Sequence, residues 1–209
     1  IGMNAENGSC ATLSTLSTYK YGTPQVDKRY AINFFSDTLR VDGKVVYLSN
    51  GEPLVYRPLE VALSLTGSKY EKTAGARMAK YEIDRTAHDD GRLQDNDIVL
   101  FRYADVLLMK AEAQLRSGHD GSIAMNLVRN RAGMASLPAT LSNLLDERLL
   151  EFMWEGWRRN DLIRFGLFHK AYDVRRPIEG ENTRFTCLFP IPKGVLERNK
   201  NLKQNPGYK

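Results

Sequence analysis

From Asp97 onward, apolar residues return at three- and four-residue steps: Ile98, Phe101, Ala104, Leu108, Ala111 and Leu115. That period places them on one face of a helix predicted over Asp97–Gly118. Asn96 or Asp97 offers the capping oxygen at its start, and Gly118 the left-handed close at its end. A short polar turn, His119–Asp120–Gly121, leads to Ser122, read as the cap of a second helix from Ile123 to about Ala132, stopped by Gly133. Ile123, Leu127, Val128 and Arg131 would form its inner edge. A third helix is expected from Ser142 or Asn143 through Glu155, weakened by Gly156, followed by a piece over Trp157–Phe165 that ends at Gly166. The prolines hold Cys187–Pro192 extended. Lys193–Arg198 reads as one helical turn and Asn199–Tyr208 as a polar coil.

The first 95 residues have another texture, rich in Gly, Ser, Thr, Asn and Tyr and without sustained helical periodicity. Asp42–Gly43 separates Thr38–Val41 from Lys44–Leu48, and Asn50–Gly51 precedes Leu54–Tyr56. Both dipeptides accept the positive φ of tight turns, so a small β-meander is predicted, with Pro53 and Pro58 confining its last strand to an edge. Residues 66–96 read as loop, with Gly67, Gly75, Gly91 and the polar run Thr86–Asp90. The expected organisation is therefore a loop-rich segment with a small meander over 1–96, the ligand-facing part, and a helical region over 97–209. The fold class is predominantly α, with helical pairs of the size of one tetratricopeptide unit, irregular loops and a small β-hairpin or meander.

Composition narrows the function classes. A net charge of +5, spread without a run of five basic residues, argues against nucleic-acid binding. Cys10 and Cys187 lie far apart and show neither metal-ligand spacing nor a C-x-x-C motif. No stretch of 18 apolar residues is present. The chain starts at Ile1 without a charged and then apolar leader, so it reads as the later part of a longer protein, with any export signal outside it.

The sharpest chemical candidates are Glu147, Glu151 and Glu155, spaced by four. Paired carboxylates can perform acid/base work on a glycosidic bond. The competing reading is ion pairing with nearby arginines, for which Arg129, Arg131, Arg148, Arg158, Arg159 and Arg164 are in supply. His88, His119 and His169 fall in unrelated contexts, no metal-binding spacing occurs, and no P-loop, G-x-G-x-x-G or G-x-S-x-G is present. No cofactor or metal is expected. Tyr103 and Glu112 read as packing and interhelical pairing residues, and Trp154 and Trp157 as core. Tyr19, Tyr21, Tyr47, Tyr56 and Tyr70 stand among small polar residues in predicted loops, where rings can stack on sugar faces while neighbours bond hydroxyls.

Five segments carry a resemblance to one family. The block Phe101–Ala113, FRYADVLLMKAEA, resembles the RYADVLLMKAEA signature of the SusD/RagB family, and Asn126–Gly133 is similar to its LNxVRxRAG continuation. Glu147–Phe152, Glu155–Gly156, Arg158, Asp161–Leu162 and Arg164–Gly166 resemble its ERRLEFAFEGxRxxDLxRWG helix. Leu188–Pro192 and Asn199–Tyr208 are similar to its closing LPIP…NPNLKQNPGY, and Asp27–Tyr30 resembles a DxR segment. The resemblance implies a SusD-like fold with tetratricopeptide-like pairs as scaffold and loops forming the ligand site. It implies a non-catalytic outer-membrane lipoprotein of Bacteroidetes that binds glycans or other nutrients at the cell surface and delivers them to a SusC-like TonB-dependent transporter. Family members are more than twice as long, and the part bearing the lipid anchor and most helical pairs would lie outside this chain. Cys10 lacks the apolar run that precedes a lipidated cysteine. The alternatives are a scaffold of the transporter complex that binds no glycan, or a glycoside hydrolase using Glu147, Glu151 or Glu155.

Overall fold

The computed structural model describes residues 9–82, 84, 86 and 95–208. The chain divides into two compact units, Ile1–Gly156 and Trp157–Lys209, and the boundary does not follow the change of texture near residue 96. Most of the polar run Thr86–Asp90, with His88 and Gly91, lies outside the described residues.

In the first unit, α1 (Leu13–Thr18) begins where the Thr12 hydroxyl accepts the Thr15 N–H. It delivers Leu16 and Tyr19 into a core shared with Ala11, Tyr30, Phe34, Ala76 and Leu150. Tyr30 belongs to the single turn α2 (Tyr30–Asn33). The core is largely aromatic: Tyr19 meets Phe34 edge-on at 5.1 Å, and Phe34 lies 5.0 Å from Tyr30 and 5.8 Å from Trp154. Edge-to-face rings add about 0.5–1.5 kcal/mol per pair beyond the area they bury.

Six two-residue strands follow: β1 (Phe34–Phe35), β2 (Asp37–Thr38), β3 (Arg40–Val41), β4 (Lys44–Val45), β5 (Val55–Tyr56) and β6 (Arg77–Met78). β3 and β4 form the predicted hairpin, with Asp42 and Gly43 both at positive φ (50° and 76°) as a tight two-residue turn of that twist requires. Beyond it the meander closes on itself, because β5 returns antiparallel to β2 and β6 to β1. The strand β6 falls where the sequence reads as loop. Gly75 just before it has φ +75°, and a Cβ there would lie 2.4 Å from Cβ and 2.6 Å from Sγ of Cys10.

Three helices complete this unit: α3 (Tyr103–Arg116), α4 (Ser122–Arg131) and α5 (Leu141–Glu151). The first begins six residues later than periodicity predicts. Arg102, its N-cap, is held extended by side-chain bonds to acidic residues, and Ile98 is left 87% exposed. Asn96 does not cap; its amide donates to the Glu82 carbonyl. Gly118 closes the helix at φ +79° as expected. Ser122 is the first residue of α4 and not its cap, and its N–H goes to Asp120 Oδ1 at 2.9 Å. The inner face of α4 is Ala124, Met125, Val128 and Arg129, while Ile123 is 80% exposed and Leu127 half exposed. Periodicity permits either face. Gly121 lets α4 approach α3, since a Cβ there would stand 2.7 Å from the Ala111 carbonyl oxygen. Thr140 caps α5, its hydroxyl accepting the Asn143 N–H at 3.1 Å.

The second unit holds α6 (Arg158–Arg164), terminated by Gly166 as predicted, and α7 (Lys193–Arg198). Arg159 lies 4.8 Å from the Phe168 ring and 4.1 Å from that of Phe189, and donates to the Thr186 and Cys187 carbonyls. The expected polar coil folds back along the extended segment: Gln204 bonds both backbone groups of Ile191, and Tyr208 donates to the Leu188 carbonyl. Cys187, like Cys10, is a free thiol.

Candidate functional site

The three glutamates do not share one helix face. α5 ends at Glu151, and a turn with Trp154 and Gly156 at positive φ carries Glu155 back toward it. Glu147, fully buried, accepts from Arg29 Nη1 at 2.7 Å and Arg129 Nη1 at 2.6 Å, one on each oxygen. Glu151 accepts from Arg29 Nη1 at 3.0 Å, from Arg131 Nη2 at 2.6 Å and from Arg102 Nη1 at 2.5 Å. Arg102 forks onward to Glu155 through Nε at 2.9 Å and Nη2 at 2.7 Å, and Lys80 closes the web on the same carboxylate. At the other end Asp27 takes the Nε and Nη2 of Arg29 at 2.9 and 2.8 Å. These charges are tolerable away from water because each is paired and hydrogen-bonded.

Arg129 and Arg131 were visible as partners from sequence. Arg29, Arg102 and Lys80 were not: Arg29 and Lys80 come from segments without helical periodicity, and Arg102 lies some fifty residues ahead of its glutamates. Arg148 pairs with Asp105 at 2.9 Å, and Arg164 with Asp161 at 2.8 Å. A carboxylate whose oxygens are held by guanidinium groups is a poor acid or base for an incoming substrate. The geometry therefore favours the ion-pairing reading of Glu147, Glu151 and Glu155.

Burial pushes the Glu155 carboxyl up, but the bonds from Arg102 and Lys80 outweigh it and hold it below the ordinary glutamate value. Asp27 is held low in the same way, burial being overcome by Arg29. For such groups the folded state binds protons less readily than the unfolded chain. Their contribution is complete above the unfolded values, about pH 4–5, and is lost as pH falls through the folded ones. Urea midpoints should therefore drop on acidification below about pH 5. Glu155→Gln should lower the midpoint at neutral pH and make the acid limb shallower; an unchanged limb would remove Glu155 from the linkage.

The five tyrosines part company. Tyr19 is 0% exposed, donates its hydroxyl proton to the Leu150 carbonyl at 2.8 Å and accepts from Asn33 Nδ2 at 2.7 Å. It is a core anchor and presents no ring to a ligand; its place directly after α1 turns it inward. Tyr21 is half-buried, 4.9 Å from the Tyr30 ring. Tyr30 itself has its hydroxyl pushed up to about 12 by burial. Tyr56, in β5, lies under the Arg77 guanidinium at 5.7 Å. Tyr70 has Arg57 and Lys69 over its ring at 5.0 and 4.8 Å. Tyr47 alone of the five is mostly exposed, at 61%, its backbone bridged to Pro53. Trp154 packs against the core and donates to the Asn33 carbonyl at 2.8 Å. Among the described residues no cluster of His, Cys, Asp and Glu is placed to hold a metal, and no helix is long and apolar enough to cross a membrane.

A sequence profile of the SusD family matches residues 25–208. The chain belongs to the SusD family. It is 38% identical over 136 residues to the starch-binding protein SusD of Bacteroides thetaiotaomicron, covering 62% of this chain and 25% of that protein. A SusD-like protein of Formosa agariphila is 35% identical over 133 residues, covering 56% of this chain and 25% of its own length. The chain thus spans about a quarter of the length of these curated relatives. Among solved structures, surface glycan-binding protein A of Bacteroides uniformis superposes with a TM-score of 0.61 at 26% identity, over 91% of this chain and 40% of that one. A SusD superfamily protein of Bacteroides vulgatus gives 0.63 at 23% identity, over 94% and 44%. The SusD fold is thus shared across nearly all of the chain, including the loop-rich part.

Proposed function

We propose that this SusD-family chain is part of a non-catalytic, surface-displayed glycan-binding protein that passes its ligand to a SusC-like TonB-dependent transporter, with a lipid anchor outside the chain. The family match carries this reading, supported by relatives named for starch binding and surface glycan binding. The engagement of Glu147, Glu151 and Glu155 in ion pairs supports the non-catalytic part. Of the five loop tyrosines, Tyr47 is best placed to receive a sugar face: it is the mostly exposed one, and its backbone is fixed beside a tight turn in which the Gly51 N–H meets the Leu48 carbonyl at 3.0 Å.

Calorimetry of the full-length protein against starch-derived and other oligosaccharides tests the reading. Tyr47→Ala should raise Kd about tenfold, the worth of one stacked ring, and leave the thermal midpoint unchanged. Unchanged affinity would exclude Tyr47 as the platform. Transporter binding with no saccharide binding at all would favour a scaffold that takes no glycan.

A further inference from the structure

We propose that the segment 57–72 carries a recognition point for acidic saccharides, uronates or sulfate esters, built from Arg57, Lys69 and Tyr70 with Lys72 beside them; this rests on the glycan-binding reading above. The ring of Tyr70 is not a bare platform. The Arg57 guanidinium lies 5.0 Å from its centroid and the Lys69 ammonium 4.8 Å. A cation over an aromatic face is attracted by the ring quadrupole, and a sugar stacking on a face so covered would have to displace it. A guanidinium resting on a ring keeps its N–H edges directed outward, the arrangement that grips a carboxylate or sulfate with two parallel bonds.

The backbone beneath is fixed. Arg57 N–H donates to the Thr73 carbonyl and its own carbonyl accepts from Gly75, both at 2.8 Å. The Tyr70 carbonyl accepts from the N–H groups of Thr73 and Ala74 at 3.0 and 2.8 Å. Arg57 and Tyr70 are therefore braced on the one stretch Thr73–Gly75, with Thr73 bonded to both and Ala74 wholly buried. Such bracing lowers the ordering cost on binding.

The local charge is open to an anion. Among the described residues no carboxylate stands within ion-pair distance of Arg57, Lys69 or Lys72. The nearby acids are Glu60, within electrostatic reach of Lys69, and Glu71, whose Oε2 accepts the Gly67 N–H at 3.3 Å within its own turn. Arg57, Lys69 and Lys72 are all exposed.

The test uses the full-length protein and saccharide pairs that differ only in charge: polygalacturonate and its methyl ester, and chondroitin sulfate and its desulfated form. The charged member of at least one pair should bind about tenfold tighter, with the preference falling as salt is added. Arg57→Gln with Lys69→Gln should abolish the preference and leave the thermal midpoint in place. A charge-matched control, Lys193→Gln with Lys200→Gln, should keep it. Equal binding within both pairs, binding of neutral saccharides only, or equal loss in the control would overturn the acidic site and leave the glycan reading standing. Failure to bind any saccharide, charged or neutral, would overturn the glycan reading itself.

Discussion

Glu151→Ala is expected to cost about 3–5 kcal/mol of folding stability, the range for removing one member of a buried ion pair, since the arginines around it lose a shared counter-charge. Glu151 is the hub of the web: three arginines, Arg29, Arg102 and Arg131, converge on its two oxygens. Against a typical total of about 5–15 kcal/mol the loss is severe, and the urea midpoint should fall accordingly. The position in the web sets the size of each effect. Arg131, 62% exposed in its side chain, can be rehydrated when its bond is lost, so Arg131→Ala should cost no more than about 1 kcal/mol. Arg29, almost wholly buried between Asp27, Glu147 and Glu151, should resemble Glu151. Should Arg29→Ala and Arg131→Ala prove equally mild, the web would be a set of ordinary surface pairs. If Glu151→Ala fails to accumulate, the contrast between the two arginines still decides the matter.

The second large effect is expected at Gly75. An alanine there must hold φ near +75°, which costs about 1–2 kcal/mol for a residue with a Cβ. It must also push aside Cys10, whose Cβ would be 2.4 Å from the new methyl group, adding about 1–3 kcal/mol of overpacking. Gly75→Ala should therefore lose about 2–5 kcal/mol in all. Cys10→Gly introduced with it should recover the overpacking part and leave the backbone part. A double-mutant cycle measures this coupling directly, and additive losses would mean that the two residues do not collide.

The helices were readable because an apolar face repeats with a fixed period and because Gly118, Gly133 and Gly166 stop them at positive φ. The choice of face was not. Ile123 and Leu127 lie on one side of α4, Ala124, Met125 and Val128 on another, and both sides satisfy the helical step. What selects the inner side is tertiary: Gly121 permits close approach to α3, and Arg129 must reach Glu147. The start of α3 failed for a similar reason. Arg102 has more to gain from two glutamates some fifty residues away than from continuing a helical turn. Tyr19 reads as a loop aromatic because its neighbours are small and polar; only contact with Phe34 and Leu150 reveals it as core. The candidate glycan site was the least legible part. Whether a loop tyrosine is open like Tyr47, sunk like Tyr19 or roofed by cations like Tyr70 depends on chain crossings that leave no local pattern.

The reach of the web also bears on how the chain is made. Arg29 precedes its partner Glu147 by 118 residues, and Tyr19 precedes Leu150 by 131. At bacterial translation speeds that interval is on the order of ten seconds. Throughout it the loop-rich segment emerges from the ribosome with Arg29 able to pair only with Asp27 and with its aromatic core lacking Leu150. It gains the glutamates Glu147 and Glu151 and its core contact with Leu150 only when α5 arrives. Premature termination anywhere ahead of α5 therefore strands an aromatic, incompletely paired polypeptide, a natural client for chaperones and proteases.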